Sequence, residues 1–252
     1  MWGGSPRSAR SPPRPLLLKK LPDLIKKTLD SINKQTIKPD KIFLNLPTEF
    51  RRFKNNKFTD EYIKRIAYEN LEITRCKDYG PGTKIMGSLK KIKDKYDFVI
   101  LLDDDHIYHE KILEIFLKNF ENKPINYSFY LNKIFNIRMG QCADGFLINS
   151  KYLDQIEEFY LKNVEKNKNL FHDDDLWLAL YLYFVKKTKI ENLIETFKNE
   201  TKQKIVYKAT ENQNIDALHQ TIHKSGFFLN RRKIQKIEYL KYFFIKKLTN
   251  RI

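Results

Sequence analysis

Two runs of adjacent aspartates, Asp103-Asp104-Asp105 and Asp173-Asp174-Asp175, are the residues whose type and spacing could do chemistry. The first follows Phe98-Val99-Ile100-Leu101-Leu102, a continuous apolar run of the kind found in a strand buried on both faces. Along an extended backbone alternate side chains point the same way, so Asp103 and Asp105 are expected on one side and Asp104 on the other. Like charges that close repel, and a bound cation is the natural counter-charge. Oxygen ligands favour Mg²⁺ or Mn²⁺. The second run opens a predicted helix containing Leu178, Leu180, Tyr181 and Tyr183. One carboxylate there suffices as cap and dipole partner, which leaves another to project into a cleft as a general base. The plainer alternative for both runs is helix capping, at which Asp excels.

These residues need elements to hold them. Leu21, Ile25, Leu29 and Ile32 recur at helical spacing, with Pro22 and Asp23 suited to a first turn. Strands are expected over Lys41–Leu46 and Leu71–Cys76, with a helix over Thr59–Glu69 between them. The loop Asp78-Tyr79-Gly80-Pro81-Gly82 leads to a helix over about Thr83–Lys93. A helix over His109–Phe120, one or two strands in Tyr127–Ile137, and a short strand Phe146–Asn149 complete the pattern. Such alternation predicts a mostly parallel α/β sheet, in which ligands bind outside the carboxyl ends of the strands. The glycine loop falls there too. Backbone N–H groups of Gly80–Gly82, the following helix N-terminus and Lys84 are expected to meet a diphosphate. The loop from Gly140 to Gly145, with Asp144 between the glycines, would let a substrate approach the backbone closely.

Composition sets wider bounds. With 252 residues, 41% of them hydrophobic, the chain can bury one good core, and one main domain is expected. A net charge of +17 attracts phosphates of any kind but does not choose among nucleotides, nucleic acid and anionic membranes. Nucleic acid is the weakest of these, because no recognition module or stripe of stacking aromatics is present. Cys76 and Cys142 lack disulfide or zinc spacing, which points to a reducing, cytoplasmic setting. No apolar run reaches transmembrane length, and Met1–Lys20 lacks the apolar core of a secretory signal.

The ordered set of motifs resembles family 2 glycosyltransferases and their GT-A relatives. The likeness rests on Thr28-Leu29-Asp30-Ser31-Ile32 with Gln35-Thr36 and Pro39-Asp40-Lys41-Ile42, then on Asp103–Asp105 as an Asp-x-Asp motif, Gly140–Gly145 as an acceptor loop, and Asp173–Asp175 as the later acidic motif. It covers about Leu21 to Trp177, with a weaker tail to His219. The resemblance implies a GT-A domain over residues 21–230 that transfers a sugar from a nucleotide-diphosphate donor to a glycan, lipid or protein hydroxyl. It implies metal contacts from Asp103, Asp105 and His219, and donor contacts from Asp78, Gly80, Lys84, Asp103 and Asp104. The acceptor would meet Asp144 and Gly145, and Asp174 would be the base, with Asp173 and Asp175 as rivals.

One departure stands out. Relatives carry a first β-strand just before the helix at Pro22, whereas residues 1–20 here are an irregular Gly/Ser/Pro/Arg segment. Losing that strand would expose the edge of its neighbour. At the other end, residues 231–252 form a basic amphipathic helix suited either to packing on the domain or to lying peripherally on an anionic membrane.

Overall fold

The computed structural model describes residues 25–51, 66, 68–121, 123–209 and 227–249. In chain order, helix α1 (residues 25–33) is followed by β1 (Ile42–Pro47), β2 (Leu71–Cys76) and a 3-10 turn at Gly80–Gly82. Two single-turn helices come next, α2 (Thr83–Met86) and α3 (Leu89–Ile92), then β3 (Phe98–Leu101), β4 (His106–Tyr108) and α4 (Ile112–Asn119). The chain continues through β5 (Ile125–Ser128), β6 (Leu131–Ile134), β7 (Ile137–Gly140), β8 (Phe146–Asn149), α5 (Ile156–Asn163) and α6 (Lys168–Phe171). Helix α7 (Asp174–Leu180) runs on through a π-turn at Tyr181–Val185, before β9 (Lys189–Asn192), α8 (Ile194–Thr201), β10 (Tyr207–Ala209) and the long α9 (Phe227–Thr249).

The architecture is mixed α/β built from small sheets, not the mostly parallel sheet expected. Its four-stranded sheet has the order β3-β8-β5-β9, and β1-β2, β6-β7 and β10-β4 pair separately. β1 runs parallel to β2 and β5 parallel to β9, whereas β8 is antiparallel to both β3 and β5. Parallel neighbours need a long crossover, which α5 to α7 supply between β5 and β9. Between β5 and β8 the chain forms the antiparallel β6-β7 hairpin and a 3-10 turn at Cys142–Asp144, with no crossover helix, so β8 returns in the opposite direction. The expected helix over Thr83–Lys93 is broken into α2 and α3 at Gly87-Ser88. A Cβ on Gly87 would lie 2.7 Å from the Asn45 side chain, so β1 and this segment approach too closely for a larger residue. The region Tyr127–Ile137 spans parts of three strands, and α9 starts earlier than expected. The proposed helix over Thr59–Glu69 lies for the most part outside the described residues, as do His219 and the segment before Ile25.

The four-stranded sheet is buried on both faces only at its centre: β3, expected to be buried on both faces, is an outer strand whose Phe98, Val99 and Ile100 are half-buried, and β9 is largely exposed. All four residues of β8 are buried, with Phe146 and Ile148 packing towards α7 and α9 and Leu147 towards α4. Trp177, wholly buried, anchors the first of these layers beneath Gly82, and α9 joins it through Tyr239 and Tyr242. The C-terminal helix is therefore part of the core of the domain.

Among the described residues, β1 pairs only with β2 and β3 only with β8, so each strand keeps one edge unpaired. Both edges border one slot of about 590 Å³, lined by Ile42–Leu44 on one side, Phe98–Leu102 on the other and α1 residues Ile25, Leu29 and Ile32 across its face. It reaches Lys84 and Asp103 at one end.

Candidate functional site

β1 and β3 end at the same cleft. Asn45, near the end of β1, donates from its side-chain amide to the Lys84 carbonyl at 3.1 Å. The Lys84 ammonium in turn pairs with Asp103, just past β3, and lies 3.0 Å from Asp174 Oδ2 at the start of α7. The two acidic runs, far apart in sequence, thus meet across one lysine. Burial works against the charged form of Lys84, but Asp103 and Asp174 outweigh it and hold its pKa well above the ordinary value.

Asp103 and Asp105 do share a side, although not through strand alternation, because β3 has already ended at Leu101. The turn is held instead by Tyr108, whose hydroxyl accepts from the Asp103 N–H at 2.8 Å and donates to the Ala143 carbonyl at 2.9 Å. Thr28 of α1 donates to the Asp104 carbonyl at 2.9 Å, and the Asp104 residue is exposed. Asp103, Asp105 and His106 offer ligand atoms within 4.8 Å of one another. His106 Nδ1 lies 2.5 Å from Asp105 Oδ1. Burial disfavours the imidazolium, but Asp105, helped by Asp103, raises the His106 pKa overall. Two carboxylates and an imidazole nitrogen fit Mn²⁺, while Mg²⁺ prefers a shell of oxygens alone.

A second grouping, Cys142 with Asp174 and Asp175, is equally compact. It fits a metal poorly. Asp175 is taken up by the Cys142 N–H and Arg231, and Asp174 faces the Lys84 ammonium, so two of its three members already have partners of opposite polarity.

The three carboxylates of the second run have separate partners. Asp173, 2% exposed, caps α7 by accepting from the Leu176 N–H at 3.3 Å. It also accepts from Arg231 Nε at 3.1 Å and Nη2 at 2.9 Å, and from Gln235 Nε2 at 2.7 Å. These four donors use its acceptor capacity, so Asp173 is a structural anchor for α9. Asp175 accepts from the Cys142 N–H at 3.0 Å and from Arg231 at 3.3 Å. Burial, reinforced by Asp174, pushes its pKa up to about 7. Asp174 faces Lys84 across the cleft. Capping and a cleft carboxylate are thus both present, on neighbouring residues.

The glycine loop differs from expectation. Gly80 adopts φ +64°, and a Cβ there would sit 2.3 Å from the Phe171 carbonyl. Its N–H donates to Asp78 Oδ1 at 2.8 Å, and Asp78 Oδ2 accepts from the Arg51 N–H at 2.7 Å. Asp78 and Gly80 are therefore occupied in closing their own loop against α6, and Gly82 packs on Trp177. The helix that follows is a single turn, with a correspondingly weak dipole. Of the expected diphosphate contacts, Lys84 is the one that faces the cleft.

The acceptor-loop residues lie beside the first acidic run. Gly145 has φ +100° and packs on Phe116, while Asp144 is 3% exposed and accepts a hydrogen bond from the Tyr207 hydroxyl. Burial raises the Asp144 pKa to about 6, with Asp103 adding to it and His106 opposing. A carboxyl whose folded pKa is raised contributes stability that is fully present below its unfolded value and lost as pH rises through the folded one. Asp144→Asn is therefore expected to match the wild type below about pH 4 and to be about 3 kcal/mol more stable near pH 8, a gap measurable by urea unfolding at each pH.

His106 and Tyr207 lie outside the motifs, Cys142 lies within the Gly140–Gly145 loop without a role assigned to it, and Arg231 and Gln235 belong to the basic helix. His106 alone had a signal, its adjacency to Asp105. Tyr207 arrives through the β10-β4 pairing, its ring 3.9 Å from that of His106. Among the described residues no helix is long and apolar enough to cross a membrane. No protein-family model matches the chain, and no curated protein is significantly similar to it.

Proposed function

We propose that this protein is a metal-dependent transferase that moves a sugar from a nucleotide-diphosphate donor to an acceptor hydroxyl. The supporting observation is that Lys84 joins Asp174 to Asp103, and Asp103 in turn groups with Asp105 and His106. Mn²⁺ or Mg²⁺ held by Asp103, Asp105 and His106 would supply a Lewis acid for the departing nucleotide diphosphate. Lys84 would turn from the carboxylates to the diphosphate, adding a second positive charge where negative charge develops. Asp174, released from Lys84, would take the proton of the acceptor hydroxyl, and attack opposite the leaving group would invert the anomeric centre. Half-buried Tyr207 would meet the acceptor beside it, with the buried Asp144, expected from the sequence to touch the acceptor itself, holding the Tyr207 hydroxyl in place.

The test is thermal unfolding with Mn²⁺ and a panel of nucleoside diphosphates. Since ligand that binds the folded state raises its melting temperature, a rise needing both Mn²⁺ and one nucleotide is the expected result. Lys84 also favours a second reading, a phosphate-binding protein without catalysis, because its ammonium already pairs with one carboxylate of each acidic run, a place a divalent ion would otherwise fill. A nucleotide-induced rise of equal size with and without Mn²⁺ would support that reading and count against the first.

A further inference from the structure

Helix α9 has two unlike faces. Gln235, Glu238, Tyr239 and Tyr242 are buried against the domain. At about 100° per residue, Ile237, Leu240 and Phe244 lie on the opposite side, at spacings of three and four. They are 41%, 38% and 56% exposed, so the centre of the outward face is apolar. Lys236 and Lys241 flank this strip on its two sides, and Lys233 and Lys247 lie in line with it, one turn before Ile237 and one turn after Phe244; all four are exposed. A helix that only met water would place its lysines at the centre of the outward face and its large apolar residues against the core.

We propose that the outward face of α9 is a docking surface for an anionic lipid bilayer, on which the helix lies flat. Ile237, Leu240 and Phe244 enter the boundary between headgroups and acyl chains, and the bordering lysines meet lipid phosphates. Charge complementarity selects this occupant. The chain carries +17, and a second copy pairing through the same face would bring its own lysine borders into opposition. Nucleic acid would answer the lysines but leave the apolar strip without a partner. The inference does not depend on the proposed transferase activity, since neither metal nor nucleotide touches this face.

Flotation of the full-length chain with vesicles tests it, using phosphatidylcholine alone and phosphatidylcholine mixed with phosphatidylglycerol. The wild type is expected to float with the anionic vesicles and stay behind with the neutral ones. Leu240→Ser with Phe244→Ser, and separately Lys236→Glu with Lys247→Glu, are each expected to lower the partition coefficient by about ten-fold or more. Because these side chains are exposed, both variants should keep the wild-type melting temperature, which separates lost binding from lost folding. Equal flotation with neutral vesicles, undiminished flotation of the Leu240/Phe244 variant, or no flotation of the wild type would each overturn the proposal. So would a wild-type dimer in solution that the same double substitution converts to monomer, because a second copy would then cover the face.

Discussion

Asp105→Asn is expected to remove the Mn²⁺-dependent rise in melting temperature, and Asp174→Asn to keep that rise while losing turnover. At a ligand concentration about a hundred times Kd, binding adds about 2.7 kcal/mol, or roughly 5–10 °C for a chain of this size. Asn at 105 withdraws the charged oxygen that faces His106 and that a divalent ion requires. Asn at 174 still presents a carbonyl oxygen to Lys84, so the cleft keeps its shape, but the amide cannot take a proton from a hydroxyl. Loss of a positioned general base lowers turnover by about 10²–10⁴-fold. Should Asp174→Asn turn over at the wild-type rate, the base is not Asp174. Asp175, with its pKa near 7, is then the residue to replace. A metal-dependent rise that survives Asp105→Asn would remove the metal assignment itself.

Arg231→Met is expected to destabilise the protein by about 3 kcal/mol, because it strands the carboxylate of Asp173 in the core with half its donors gone. Arg231 is one-third exposed at its side chain, which keeps the expected loss at the low end for breaking a buried pair. Burial opposes the charge on Arg231, but Asp173 and Asp175 overcome it and raise its pKa. The companion variant Arg231→Met with Asp173→Asn removes the stranded charge and should recover most of the loss, since the Asn carbonyl can still cap α7 and accept from Gln235. Urea unfolding of the two single variants and the double variant gives the coupling energy directly. Coupling near zero would mean that the Arg231–Asp173 pair adds nothing to the hold on α9 from Gln235, Tyr239, Tyr242 and Glu238, the last of which accepts from Asn167 and Asn169.

Much of the local structure was legible because it follows from short-range rules. The strands Leu71–Cys76 and Phe146–Asn149 match their expected bounds, since each is a run of apolar and β-prone residues between turn-forming ones. Ile25, Leu29 and Ile32 fall on the buried face of α1, as their spacing requires. The helix over Thr83–Lys93 breaks at Ser88, whose backbone leaves the helical region at φ −113° and ψ 10° where its hydroxyl donates to Asn45 of β1, a partner that the local spacing does not reveal. Gly80 was legible as a turn but not as an inward-facing one, because its N–H partner, Asp78, is equally good at binding a ligand or closing a loop.

By itself the sequence determined that one acidic run follows a strand and the other opens a helix, and that residues 231–249 are part of a basic amphipathic helix, whereas the strand before Asp103 is half-buried at the sheet edge and not covered on both faces. Those features depend on residues within a turn or two of one another, where periodicity and capping preference act. Tertiary structure alone decided that Lys84 joins the two runs, that Arg231 and Gln235 saturate Asp173, and that Tyr207 comes to Asp144. The same holds for the mixed strand directions and for the apolar strip of α9 facing outward. Each of these depends on which distant segments share a boundary, and one-dimensional spacing carries no term for that.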